Sequence, residues 1–138
     1  MSFLIDTNVI SEMSKPAPNK AVENWIITIP ESGLFLSVVT IGELVYGICK
    51  VTDKIRKKKL SAWLDKVMNE GFGGRILAID TEVMCTWGEM YAKLPRTIPI
   101  QDTLIAATAI TNNLTLVTRN IRDFNDITGL TTINPWDL

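Results

Sequence analysis

Residues 3–10 read FLIDTNVI. The unbroken apolar run Phe3-Leu4-Ile5 suits a short strand covered on both faces, because a strand with one wet face would alternate apolar and polar side chains. Asp6, Thr7 and Asn8 then stand where that strand ends. In an open parallel sheet the ligand crevice lies outside the carboxyl ends of the strands, where the strand order reverses. Asp6 is therefore a candidate functional acid, provided the rest of the chain supplies such a sheet.

Leu34 to Val39 and Arg75 to Ile79 read as further strands, Leu114 to Thr118 as a fourth and Thr131 to Ile133 as a short fifth. Helical patterns fill the gaps. Asp6 to Ser14 is helical until Pro16 and Pro18 interrupt it. A second helix starts near Asn19, with Val22, Trp25, Ile26 and Ile29 on one face, and ends at Pro30. Ile41 to Lys50 and Asp53 to Asn69 follow, the latter with Leu60, Trp63, Leu64, Val67 and Met68 on one face. EGFGG at 70–74 is the clearest turn signal. Asp80 starts a helix with Val83, Trp87, Met90 and Leu94 on its inner face, Pro95 to Gln101 is a loop, and Asp102 opens an alanine-rich helix to about Asn112. This alternation predicts the α/β class: a parallel sheet of about five strands with helices on both faces. The 138 residues show no repeat, low-complexity tract or linker, so one domain over 1–138 is expected.

Composition narrows the chemistry. A formal charge of −1 gives no global basic field, so nucleic-acid contact would need local clusters. With no basic leader and no window near the roughly 20 apolar residues of a bilayer span, a soluble cytoplasmic protein is expected. The chain contains 0 histidines. That excludes Ser-His-Asp and Cys-His catalysis and removes the commonest soft-metal ligand. Cys49 and Cys85, far apart and inside apolar helical patterns, read as buried small hydrophobes rather than a zinc site or disulfide. Gly73-Gly74 lacks the spacing of a nucleotide-binding loop.

Glu43, Asp102 and Asp123 fall in positions comparable to Asp6, each shortly after a predicted strand or at a helix start. Each also has a structural explanation. Thr40-Ile41-Gly42-Glu43 fits a capping box, Asp102 a first-turn acid, Asp6 a cap and Asp123 a turn acid. If they converge, they would repel one another and raise one another's pKa unless a cation sat among them. An oxygen-only donor set favours Mg²⁺ or Mn²⁺, which points to metal-assisted phosphodiester hydrolysis.

FLIDTNVIS, SVVTIGELVYGI, IQDTLIAATAI, LTLVTRNIRDF and INPW together resemble the successive motifs of PIN-domain ribonucleases, in particular the VapC and FitB toxins of type II toxin–antitoxin systems. The resemblance implies a PIN-like three-layer sandwich, a homodimer, and Mg²⁺- or Mn²⁺-dependent cleavage of RNA, tRNA or another structured RNA being the expected target. It assigns catalysis and metal binding to Asp6, Glu43, Asp102 and Asp123, with Thr7, Thr118 and Asn120 as polar support. Asp6 and Asp102 would hold the ion, Glu43 and Asp123 would orient further waters or a second ion, and in-line attack by activated water would leave a 5′-phosphate and a 3′-hydroxyl. A small DNA-binding antitoxin would inhibit the enzyme and carry it indirectly to operator DNA. Gln101 departs from the small residue or proline that often precedes the third acid, and Asp126 competes with Asp123 for the fourth position.

Two other classes compete. A receiver-like phospho-signalling domain would use Asp80, at the end of the third strand, as acceptor, although no acidic pair ends the first strand. An inactive PIN-like scaffold would bind a partner only. The basic run Lys54 to Lys59 is either a solvated helix face or a contact for RNA phosphates or the antitoxin, and Arg119 and Arg122 flank the proposed site as phosphate-positioning candidates. Trp25, Trp63 and Trp87 are expected in the core.

Overall fold

The computed structural model describes residues 1–138. Strands β1 (Phe3–Ile5), β2 (Leu34–Ser37), β3 (Ile76–Leu77), β4 (Thr115–Val117) and β5 (Thr132–Ile133) form one sheet in the order β3-β2-β1-β4-β5, with every neighbouring pair parallel. β1 is the central strand and all of it is buried. Its side chains enter opposite cores in alternation, as the pleat requires. Phe3 and Ile5 meet Leu34, Leu36 and Val117 on one face, while Leu4 meets Ile105, Leu116 and Phe124 on the other.

Seven helices cover the two faces: α1 (Thr7–Glu12), α2 (Lys20–Thr28), α3 (Val38–Cys49), α4 (Lys54–Lys66), α5 (Thr81–Ala92), α6 (Ile100–Thr111) and α7 (Ile121–Phe124). Val9, Val22, Leu44 and Leu64 bring α1 to α4 onto the first core, and Val83, Met90, Ala106 and Phe124 bring α5 to α7 onto the second. The result is the three-layer α/β sandwich expected from the alternating pattern. No helix is long and apolar enough to cross a membrane.

Several local expectations are corrected. β2 stops at Ser37, whose Oγ accepts from the Val39 amide at 3.0 Å and so caps α3. Thr40 consequently lies inside the helix, and the capping-box reading of Thr40 and Glu43 fails. The third strand shrinks to two residues because it forms the sheet edge, with a neighbour on one side only. α4 runs on into a π-helical turn over Val67–Gly71. A Cβ on Gly73 would stand 2.8 Å from the Asn69 carbonyl oxygen, and Gly74 has a φ of +79°, so both positions require glycine. Cys49 and Cys85 are free and exposed rather than buried, since the apolar neighbours on their helices take the inward positions. Trp25, Trp63 and Trp87 pack against the cores as expected, and so does Trp136.

Asp80 is a helix cap. Its Oδ1 accepts from the Val83 amide at 2.9 Å, and it follows the edge strand rather than a central one. That removes the basis of the receiver-like reading. Asp80→Ala is expected to cost about 1 kcal/mol, visible as a few degrees in a thermal melt.

Candidate active site

From β1 the chain builds outward through β2 to β3, and it then returns to the opposite side of β1 to lay down β4 and β5. The strand order therefore reverses between β1 and β4, and the crevice opens beyond their carboxyl ends. Asp6 follows β1 directly, and Thr118 follows β4. The Asp6 amide donates to the Val117 carbonyl at 2.9 Å, so the β1–β4 ladder holds the backbone on which its carboxylate sits.

Asp6 is only 4% exposed, and both of its carboxylate oxygens are hydrogen-bonded. Oδ1 accepts from the Thr7 amide at 2.7 Å, which makes Asp6 the N-cap of α1. Oδ2 accepts from the Thr118 hydroxyl at 2.7 Å and from Asn8 Nδ2 at 3.4 Å. Thr118 Oγ1 in turn accepts from the Asn120 amide at 3.1 Å and Asn8 Nδ2 at 3.4 Å, so its single proton is committed to Asp6. The capping role weighed for Asp6 is real, and it coexists with a place in the crevice.

Glu43, in α3, reaches the same crevice. Its Oε1 accepts from the Thr7 hydroxyl at 2.7 Å, and Thr7 Oγ1 lies 3.0 Å from the hydroxyl of the buried Thr40. Asp102 is half-buried in the first turn of α6, where Pro99 takes the cap position. Burial pushes the Asp102 carboxyl up to about 6, and the charges of Asp6, Glu43 and Asp123 add to the effect. Burial also raises Asp6, against the lowering hydrogen bonds from Thr118 and Thr7, with Glu43 and Asp123 again adding. The charges of Glu43 and Asp123 thus reach Asp6 and Asp102, although the four acids come from four separate helices or helix caps.

Asp126 does not belong with them. Its carboxylate receives Arg96 Nε at 2.9 Å and Nη2 at 3.3 Å, and this fork holds its pKa below the usual range. The charge of Asp123, not that of Asp126, reaches Asp6 and Asp102. Sequence reasoning missed Asn8, which bridges Asp6 and Thr118 and also accepts from the Arg119 amide at 3.2 Å. Its signal was its place in the opening stretch, directly after Asp6 and Thr7.

No three of these carboxylates converge tightly enough to encage an ion unaided. The donor set nonetheless fits a hard divalent cation, because the oxygens repel one another and Asp102 is driven toward the neutral form without a counter-charge. Mg²⁺ keeps several of its waters and is usually bound through one or two carboxylates, so a loose oxygen-only cluster suits it.

The PIN domain profile matches residues 3–130. The chain is 35% identical to the toxin FitB of Neisseria gonorrhoeae, over 97% of this chain and 98% of FitB. It is 31% identical to the VapC ribonuclease Y4jK of Sinorhizobium fredii, over 98% of each. The structure of FitAB bound to the IR36 DNA fragment superposes with a TM-score of 0.88 at 30% identity, covering 99% of this chain and 96% of that one. Family profile, sequence identity and fold agree over almost the full length: the chain belongs to the PIN domain family.

Proposed function

We propose that residues 1–138 form one PIN domain that acts as the toxin of a type II toxin–antitoxin pair, a cytoplasmic endoribonuclease using Mg²⁺ or Mn²⁺. The observation that carries this reading is the buried Asp6 at the switch point of the sheet, whose charge, with those of Glu43 and Asp123, adds to burial in raising the Asp102 carboxyl. Asp6 and Asp102 would hold the ion, and Glu43 and Asp123 would orient waters or a second ion. When bound, the ion acidifies a water and neutralises charge developing on the phosphoryl group. Thr118, Asn8 and the Thr7 amide keep the Asp6 carboxylate ionised and aimed, since hydrogen bonds to the charged form favour it. The Thr7 hydroxyl orients the Glu43 carboxylate, and Asn120 holds Thr118.

FitB is named a toxin, Y4jK a ribonuclease, and FitAB has been solved on DNA. These relatives support an RNA substrate and an antitoxin partner that reaches operator DNA for both chains; the RNA we propose is tRNA or another structured RNA. The same reading carries a homodimer.

Incubation of the purified chain with cellular RNA tests the reading. Cleavage is expected only with Mg²⁺ or Mn²⁺, and the new ends should carry 5′-phosphates that ligate directly. Undiminished cleavage in excess EDTA would refute it.

A further inference from the structure

Two guanidinium groups beside the acid cluster have no anionic partner. The ion pairs of the chain are Lys15–Glu12, Lys20–Glu23 and Arg96–Asp126, which leaves Arg119 and Arg122 without a carboxylate. Both line a cleft of about 430 Å³ with Asn120, Asp123, Asn134 and Asp137. Asp123 belongs to this cleft and to the acid cluster, so the two adjoin. Arg119 is also held in place. Its guanidinium carbon stands 4.8 Å from the Trp136 ring centroid, and its amide donates to Asn8 Oδ1 at 3.2 Å. Asn134, which contacts the Arg119 carbonyl, caps the turn bearing Trp136 by accepting from its amide at 2.9 Å.

A cation stacked on an aromatic face keeps its in-plane N–H donors free and loses less freedom when an anion arrives. We propose that this cleft is a phosphodiester subsite: Arg119, braced by Trp136, and Arg122 bind the backbone phosphate of a nucleotide next to the scissile one. The proposal rests on the nuclease reading and deepens it. It also explains how a chain of net charge −1 holds a polyanion next to four acids. Asp137 is the one lining acid outside the cluster, so its removal should favour binding.

The test uses a short single-stranded RNA of mixed sequence and metal-free protein in EDTA, with affinity measured across a salt series. Each phosphate contact on a single strand contributes about 0.7 to the slope of log affinity against log salt. Arg119→Ala and Arg122→Ala should each flatten the slope by about that amount and weaken binding about tenfold at low salt, less at high salt. Arg119→Lys should keep the slope, Trp136→Leu should keep the slope while weakening binding, and Asp137→Asn should tighten it. An unchanged slope and affinity in Arg119→Ala/Arg122→Ala, with wild type still cleaving in Mg²⁺, would overturn the subsite alone. A wild type that neither binds nor cleaves RNA would overturn the nuclease reading with it.

Discussion

Asp102→Asn is expected to reduce RNA cleavage by on the order of 10³-fold or more, and at the same time to raise the melting temperature of the metal-free protein at neutral pH. The first effect follows from the ion's role. Charge stabilisation by a bound metal is worth several kcal/mol in a hydrolytic transition state, and each 1.36 kcal/mol is about a decade in rate. The second follows from burial: at pH 7 the fold must hold Asp102 ionised although its pKa has been pushed to about 6 beside Asp6, Glu43 and Asp123. An amide of the same shape carries no charge to desolvate. Asp6→Asn should lose activity to a similar degree and behave oppositely in stability. Its new amide would point a donor at Thr118 Oγ1, which already accepts from Asn8 and Asn120, and would leave the Thr118 proton without its acceptor. A buried polar group orphaned in this way costs about 1–3 kcal/mol. Single-turnover cleavage and thermal melts of the two variants in EDTA separate the effects. Cleavage by Asp102→Asn within tenfold of wild type would remove this residue from the metal site.

The contrast between these two acids also shows what the sequence could reveal. The apolar run before Asp6 announced a central strand because burial on both faces suppresses alternation, and Asp6 does follow that strand directly. Glu43 was harder to read. Its spacing from Thr40 imitates a capping box, and only the position of Ser37 as the true cap shows that the glutamate is free to turn toward Thr7. Asp123 and Asp126 are equivalent by spacing. They are separated by Arg96, whose guanidinium also donates to the Arg122 carbonyl, and that partner lies 30 residues before Asp126. Short-range pattern carries no trace of such a contact. Element ends suffered for a related reason: β3 looked five residues long because Arg75 to Ile79 is apolar enough, but an edge strand pairs only as far as its single neighbour allows. The exposed cysteines show the converse failure, since a helical face identified by its best hydrophobes says little about the weaker ones beside it.

Metal and protons should compete openly at this site. Burial, with the charges of Asp6, Glu43 and Asp123 adding, pushes the Asp102 carboxyl in the fold from its ordinary 3.8 up to about 6. Below 3.8 both states are protonated there, and the folded protein keeps the full benefit of a neutral carboxyl. As pH rises from about 4 to 6 the unfolded chain gives up its proton first, so the native state holds more protons and stability falls with pH. Above 6 the loss is complete and the curve flattens. Asp6, raised in the same direction, steepens the decline. A divalent cation reverses the trend because it binds the ionised cluster of the native state alone. At a concentration 100 times its dissociation constant it should add about 2.7 kcal/mol. Below pH 6 each ion must displace at least one proton, so its apparent affinity should drop about tenfold per pH unit, and more steeply where Asp6 also protonates. Melting curves with and without Mn²⁺ at pH 4.5, 6 and 7.5 should therefore diverge as pH rises: in EDTA the protein melts lowest at pH 7.5, and with Mn²⁺ the gain is largest there. Equal Mn²⁺ stabilisation at all three pH values would mean that the ion does not meet Asp102. In Asp102→Asn the EDTA curve should lose most of its slope between pH 4.5 and 6, which ties the pH dependence to that carboxyl.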